Sequence, residues 1–121
     1  TVVWDPPYRL NGTPDLIGFD QRYGISEATT VAERMETIVT GAANATICTK
    51  PQGFTLIKCQ NQVVSGRKVD QVRAGKEAGE EAGGAWVDDL HMLGSYRPQP
   101  PGRRQLHARS NYSTLVVMRR V

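Results

Sequence analysis

The chain contains no long apolar run and no residue pattern typical of a metal or nucleotide site. No stretch approaches the roughly 18 consecutive apolar residues that cross a bilayer, so we predict no transmembrane segment. No CxxC, HxxxH, Walker or Gly-x-Ser-x-Gly pattern is present, and the only histidines are His91 and His107. These absences argue against zinc sites, nucleotide cofactors and hydrolases of the nucleophile-elbow type. We therefore predict no metal and no cofactor.

Aromatic residues are scarce at 7%, whereas hydrophobic residues as a whole make up 39% of the 121 residues. A chain of this length suits one hydrophobic core, so we predict a single domain over 1–121. Three prolines within 97–102 predict an extended internal linker. The Gly-, Ala- and Glu-rich stretch 74–84 predicts a helix or, alternatively, a mobile loop.

The four asparagines and two cysteines are placed in a way that suggests the secretory route. Asn11, Asn44 and Asn111 each begin a glycan-acceptor triplet, and Cys48 and Cys59 lie eleven residues apart. The pattern predicts a secreted, extracellular glycoprotein with a Cys48–Cys59 disulfide bond. The chain begins with threonine, which we interpret as loss of a preceding segment such as a signal peptide. The alternative is a bacterial or cytosolic protein with accidental triplets and two free thiols.

The formal net charge of +3 is unevenly distributed along the chain. Residues 95–121 carry six arginines and no acid, which leaves a net charge of −3 for residues 1–94. A basic section on an acidic body favours an anionic partner, either RNA, phospholipid head groups or an acidic protein surface. The alternative is a solvated face balanced by the body's carboxylates. The predicted binding residues are Arg97, Arg103, Arg104, Arg109, Arg119 and Arg120.

Two segments have the periodicity of helices. Apolar residues recur every three or four positions in 26–41, with Ser26 as N-cap, a capping box from Thr30 to Glu33, and Gly41 at the end. In 67–82, alanines and glycines repeat at four-residue spacing and Arg73 precedes Glu77 by four. A helix with such a face of small residues can lie close to a sheet.

Strands are predicted between and after these helices. Residues 1–4 form a short strand stopped by Asp5-Pro6-Pro7, and 16–19 form another. Residues 54–58 pair with 62–65, and 85–93 form a strand or a helical turn. Residues 104–109 and 112–118 form a hairpin around Ser110-Asn111, and the apolar run 115–118 is typical of an interior strand.

This element order predicts an α+β fold: one small domain with an antiparallel sheet packed on two helices. The order matches a split β-α-β, ferredoxin-like sandwich. At the level of fold it resembles the small secreted killer toxins of yeasts and smuts, a likeness that carries no function by itself.

The hairpin supplies the one conceivable catalytic cluster. In a two-residue-turn register, His107 faces Thr114 and Arg109 faces Tyr112, all on one face. An imidazole, a guanidinium and hydroxyls are the groups that metal-independent RNA cleavage needs. The alternative interpretation is a polar outer face. His91, between apolar neighbours, is predicted to be a core or boundary residue.

The sequence therefore favours a secreted, non-enzymatic protein that acts by surface binding, as an effector, toxin or recognition module, through its basic C-terminal section. The alternative is a secreted ribonuclease-like cytotoxin that uses His107 and Arg109. The oligomeric state is left open.

Overall fold

A four-stranded mixed sheet and two helices form the body of the structure, a computed structural model that describes residues 1–6, 30–94 and 112–121. The main sheet has the order β1-β2-β6-β5, and β3 and β4 form a separate two-stranded sheet. The elements are β1 (Val2–Trp4), α1 (Val31–Cys48), β2 (Phe54–Cys59), β3 (Gln62–Val64), β4 (Arg67–Val69), α2 (Gln71–Glu81), β5 (Gly84–Leu93) and β6 (Tyr112–Arg120).

The first two strands of the main sheet are parallel neighbours, and Trp4 of β1 lies opposite Ile57 of β2. Strand β6 runs antiparallel to both β2 and β5. The prediction of a small α+β domain with a sheet and two helices is confirmed. The finer prediction of a split β-α-β unit in an antiparallel sheet is not confirmed, because β1 and β2 pair directly and in parallel.

Helix α1 begins where Thr30 caps it, since the Thr30 hydroxyl accepts a hydrogen bond from the Glu33 amide at 3.2 Å. The predicted end at Gly41 is wrong, because the helix continues to Cys48. A Cβ on Gly41 would overlap the Trp4 ring, and the Trp4 indole donates to the Ile38 carbonyl at 3.2 Å. Gly41 therefore marks a close approach between helix and strand instead of a helix terminus.

Helix α2 confirms the prediction of a small-residue face against the sheet, although it spans Gln71–Glu81 instead of 67–82. A Cβ on Gly75 would lie 2.8 Å from the Cys59 sulfur, and one on Gly79 would lie 3.1 Å from Met118. Larger residues at these two positions would push the helix off the sheet. The predicted pair on the outer face is also present, with Arg73 Nε 2.8 Å from Glu77 Oε1.

The buried core lies between the helices and one face of the sheet, where Ala42, Ile57, Val116 and Met118 are fully or almost fully enclosed. On the opposite face the alternating residues are half-buried or exposed, and Val3 is 60% exposed. Within the described ranges, both helices contact the same side of the sheet. The sheet thus has one apolar face that the described elements leave uncovered.

The predicted disulfide is wrong, because Cys48 and Cys59 are both free. Cys48 ends α1 and is exposed, whereas Cys59 ends β2 and is buried. Helix α1 leads into the start of β2, so the length of that strand separates the two thiols. Six residues at strand rise span about 17 Å, far beyond the roughly 7 Å between Cα atoms that a disulfide tolerates.

The strand pairings differ from prediction at two places. Strand β3 pairs with β4, not with β2. Strand β6 is interior, as predicted, but its neighbours are β2 and β5, so Thr114 lies opposite Cys59 and His91 instead of His107. Both sides of β6 are thereby paired with described strands, and residues 104–109, its predicted partner, lie outside the described residues. The predicted strand 16–19, the linker 97–102, Asn11, Asn111, His107 and Arg109 lie outside the described residues.

Candidate functional site

Polar side chains gather at one edge of the main sheet, the edge at which the parallel strands β1 and β2 end. We call it the carboxyl edge, and the opposite one the amino edge. In sheets with parallel strands, ligands bind outside the carboxyl ends of those strands. Asp5 follows β1 directly and is exposed, Pro6 after it is fully buried, and Lys58 is the last residue but one of β2.

Asp5 and Lys58 form an ion pair at this edge, with Lys58 Nζ 3.5 Å from Asp5 Oδ1. The side chains are 50% and 21% exposed, respectively, so a ligand in solution can reach the carboxylate. A carboxylate has about four acceptor positions on its two oxygens. One contact with an ammonium group therefore orients Asp5 and leaves acceptor capacity for a donor on a ligand.

The loop after β2 is fastened to the start of α2. The Gln60 amide donates to the Gln71 side-chain oxygen at 3.1 Å, and the Val72 amide donates to the Asn61 side-chain oxygen at 3.1 Å. Asp70 caps the helix by accepting from the Arg73 amide at 3.0 Å. The Val72 and Arg73 amides of the first helical turn are thereby satisfied, and the Gln60 bond ties the chain beyond β2 to this helix end.

Strands β3 and β4 emerge from this loop as a hairpin, which we call the carboxyl-edge hairpin. Its turn is Ser65-Gly66, with φ of 50° and 74°, the backbone that a tight type I′ hairpin turn requires. Arg67 and Lys68 on its second strand are both exposed. Residues 62–69 include no acid, so the hairpin carries a net charge of +2.

A second polar group lies at the same edge, where β5 ends and β6 begins. His91 Nδ1 is 3.1 Å from the Thr114 hydroxyl, and the His91 ring meets the Tyr112 ring edge-on with centroids 4.9 Å apart. His91 is exposed, so it is a boundary residue and not a core one. The structure thus brings Tyr112 and Thr114, two residues of the predicted catalytic cluster, to His91.

Arg120, one of the predicted binding residues, lies at the amino edge and is engaged there. Its guanidinium donates to the carbonyls of Thr46 at 2.7 Å and Ile47 at 2.5 Å in the last turn of α1, and the Thr46 carbonyl also accepts from the Thr49 amide at 3.1 Å. Arg119 beside it is exposed. Asn44, a predicted glycan acceptor, is exposed and lies within α1. The other predicted binding residues, Arg97, Arg103, Arg104 and Arg109, lie outside the described residues.

Cys59 lies near the carboxyl edge but is unsuited to act as a nucleophile. Burial, with a smaller contribution from the negative charges of Asp70 and Asp89, raises the pKa of its thiol to about 12. No group of three or more His, Cys, Asp or Glu residues suited to a metal ion occurs in the described part of the chain. None of the described helices is long and apolar enough to cross a membrane.

The sequence interpretation missed Asp5, Lys58 and the two cations of the carboxyl-edge hairpin as functional candidates. A signal was present: an acid directly after a short strand, followed by Pro6, Pro7 and Tyr8. It was interpreted only as the end of a strand. The buried Pro6 restricts the backbone directly after the carboxylate, which helps to hold the Asp5 side chain in place.

The fold has a counterpart among solved structures. The chain matches a crystal structure from Thermus thermophilus, provisionally described as a DNA modification methylase, with a TM-score of 0.57 and 14% identity over 98% of this chain. The match spans 43% of that protein, so this chain corresponds to less than half of its length. No protein-family model and no curated protein sequence matches the chain. At this identity the likeness shows a shared fold.

These findings correct the prediction of a secreted, glycosylated, disulfide-bonded effector or toxin. The two thiols lie at opposite ends of β2, and the fold is shared with a protein described as a DNA-modifying enzyme, which does not fit that prediction. The chain is an α+β domain with the fold found in part of that protein, and the Asp5–Lys58 pair and the exposed hairpin cations lie at the carboxyl edge of its sheet.

Proposed function

We propose that this chain is part of a DNA-modifying methylase and that the carboxyl edge holds the base to be methylated. One observation carries the proposal. The reachable carboxylate of Asp5 directly follows a parallel strand, in a fold shared with a protein described as a DNA modification methylase. The carboxyl ends of such strands are where this kind of sheet places its ligands.

The chemistry of Asp5 indicates which base atoms would be recognised. Enzymes that methylate DNA bases extrude the base and hold it through hydrogen bonds to its Watson–Crick edge and by stacking on aromatic side chains. An ionised Asp5 only accepts hydrogen bonds, so it suits an exocyclic amino group, the N6 of adenine or the N4 of cytosine. Trp4 is engaged with α1, so Tyr8, three residues beyond Asp5 in the sequence, is the next aromatic residue that could stack on the base.

The reaction needs an electron-rich amino nitrogen. That nitrogen attacks the methyl carbon of an activated methyl donor, the bond from this carbon to the donor breaks, and an amino proton is released. A hydrogen bond from the amino group to Asp5 increases electron density on the nitrogen and stabilises the positive charge that develops there. Lys58, 3.5 Å from Asp5 Oδ1, orients the carboxylate for this contact.

The anionic partner that the basic C-terminal section predicts is, in this proposal, the DNA backbone. The net charge of +3 and the six arginines of 95–121 support the attraction of a polyanion. Arg120 is not assigned to DNA contact, since its guanidinium is hydrogen-bonded to carbonyls at the end of α1 and stabilises the fold there. The ribonuclease alternative rests on His107 and Arg109 and stays a prediction.

The test is to produce the native protein in a bacterium, digest the host DNA to nucleosides and quantify methylated adenine and cytosine by mass spectrometry. We expect one amino-methylated nucleoside above the level of the host carrying an empty vector. Asp5→Ala should lower the methylation rate about a hundredfold or more, the typical effect of removing a group that stabilises developing charge. Glu36→Ala, which removes an exposed carboxylate of α1, is the matched control and should leave the rate unchanged.

Two results would reject the proposal. One is the absence of any new methylated nucleoside with soluble, folded protein present. The other is full methylation by the Asp5→Ala variant, which would separate the activity from this edge of the sheet.

A further inference from the structure

We infer that the carboxyl-edge hairpin, residues 62–69, contacts the phosphate backbone of duplex DNA beside the base held at Asp5. This inference rests on the proposed function and names the surface that would hold its substrate. It differs from the sequence-based prediction, which placed the binding surface in residues 95–121.

The position of the hairpin follows from the order of the elements. Strand β2 ends at Cys59, two residues precede β3, and Asp70 after β4 is already the N-cap of α2. The hairpin therefore starts and ends at the carboxyl edge, where the Asp5–Lys58 pair also lies. The hydrogen bonds of Gln60 and Asn61 to the start of α2 fix its base.

The positive charge of the hairpin is not neutralised by an ion pair within the described residues. Arg73 pairs with Glu77, Lys76 lies 4.0 Å above the Trp86 ring, and Arg120 bonds to helix carbonyls. Of the carboxylates that the structure describes, none forms an ion pair with Arg67 or Lys68. Both cations are exposed and ready to contact an outside anion.

The shape of the hairpin also fits a duplex. Arg67 lies opposite Val64 and Lys68 opposite Val63, and successive residues of a strand point to opposite faces. The two cations therefore project from both faces of a narrow ribbon. The major groove of B-form DNA admits a two-stranded β-ribbon, whose cations can then reach phosphates on either side.

Packing within the protein gives the carboxyl-edge hairpin little stability. A lone two-stranded hairpin is marginally stable in water, and β3 and β4 do not join the main sheet. Its valines Val63, Val64 and Val69 are only half-buried. A contact with a partner would supply the stabilisation that the ribbon lacks on its own.

The experiment measures binding of the native protein to a labelled double-stranded DNA oligonucleotide by fluorescence anisotropy over a range of salt concentrations. The variant Arg67→Ala/Lys68→Ala removes both cations of the hairpin. The matched control is Lys50→Ala/Arg73→Ala, which removes the same charge from two exposed residues outside the hairpin and outside the basic C-terminal section. Thermal unfolding of each protein shows that the sheet and helices are intact.

We expect the hairpin variant to bind about tenfold more weakly at moderate salt, because each phosphate contact releases counterions. The slope of log K against log salt should fall by about two, one for each lost contact. The control should stay within about twofold of the unaltered protein. Arg67→Gln/Lys68→Gln, which keeps the length of the side chains, should behave as the alanine variant does.

Other results would overturn the inference. Equal losses in the hairpin variant and the control would mean that only total charge matters, and an unchanged affinity and slope would mean that the hairpin makes no contact. If the unaltered protein methylates DNA while the hairpin variant binds normally, the inference alone fails. If the unaltered protein binds no DNA, or binds duplex RNA more tightly, the inference and the DNA proposal fail together.

Discussion

The two edges of the main sheet both carry polar and charged residues, but these residues are bonded within the protein at the amino edge and exposed at the carboxyl edge. At the amino edge the polar groups bond to one another: the Thr49 and Thr55 hydroxyls lie 2.6 Å apart and are buried, and Arg120 bonds to carbonyls at the end of α1. The backbone of Arg120 also exchanges hydrogen bonds with Gln52 and Gly53 at 2.9 and 2.8 Å. At the carboxyl edge, Asp5 and the hairpin cations face solvent.

The comparison shows that the positive charge of a segment does not by itself indicate whether its residues stabilise the fold or are accessible to a ligand. Both helices end at the amino edge, where donors from beyond the helices bond to carbonyls of the last turns. The carboxyl edge receives the chain ends of two parallel strands and the well-capped start of α2, so Asp5 and the hairpin cations remain accessible to a ligand. Arginines at the two edges therefore differ in accessibility, since Arg120 is bonded within the protein and Arg67 is exposed.

The largest expected effect concerns the two thiols, one near each edge. Cys48 is exposed and should react with a thiol reagent within seconds to minutes, whereas Cys59 is completely buried and its thiol pKa is raised to about 12. Three pKa units lower the thiolate fraction about a thousandfold at neutral pH. Labelling of the native protein followed by intact mass measurement should give one adduct, and labelling in denaturant should give two. Rapid double labelling of the native protein would contradict the burial of Cys59.

The same thiol makes the structure sensitive to alkali. The pKa of Cys59 is raised in the folded protein from 9.0 to about 12, so the unfolded chain ionises first as the pH rises. Its contribution to stability is fully present below about pH 9 and is lost as the pH rises toward 12. The free energy of unfolding should fall by up to about 4 kcal/mol over this window.

Urea unfolding of the unaltered protein and of Cys59→Ala at a series of pH values measures this effect. The variant should be less stable near neutrality, because the substitution leaves a small cavity. Its stability should depend less steeply on pH above 9. Parallel curves for the two proteins would show that other groups cause the alkaline loss.

A smaller effect is expected at the amino edge. Arg120→Met should lower the free energy of unfolding by about 2 kcal/mol, since it removes charged hydrogen bonds to the last carbonyls of α1. Arg119→Met, one residue earlier and exposed, is the matched control and should change stability by about 0.5 kcal/mol or less. Equal losses of unfolding free energy in the two variants would mean that Arg120 stabilises the fold no more than an exposed arginine does.

The smallest effect on stability is expected at the carboxyl edge. Lys58→Gln removes a partly exposed ion pair and should change the free energy of unfolding by about 0.5 kcal/mol or less. If Lys58 orients Asp5, the rate of DNA methylation should nevertheless fall, and Lys58→Arg should restore part of it. A large loss of stability with unchanged methylation would reverse the roles that we assign to the two edges.

Local patterns predicted several elements correctly. The apolar run before Asp5 predicted β1, the run at 115–118 predicted an interior strand, and the glycines of 75–83 predicted a helix lying close to a sheet. Each of these depends on residues within one or two turns or on strand alternation. The sequence pattern contains that information in full.

Predictions failed where the outcome depended on distant residues. Gly41 looked like a helix end because the ring of Trp4, its reason for being glycine, lies 37 positions away in the sequence. The Cys48–Cys59 bridge looked plausible from spacing alone, but the strand between the cysteines holds them apart. Strand β6 was paired with its nearest neighbour in sequence, whereas it forms hydrogen bonds with β2 and β5.

The residue pattern along the chain was enough to predict an α+β domain, the approximate positions of its helices and main strands, and an excess of positive charge near residue 121. Which polar groups meet depended on the folded arrangement: Asp5 with Lys58, Arg120 with the end of α1, and His91 with Thr114. The physical reason is that side-chain spacing along one element is set locally. The edge at which an element ends, and the partner it finds there, are set by contacts between residues that are far apart in the chain.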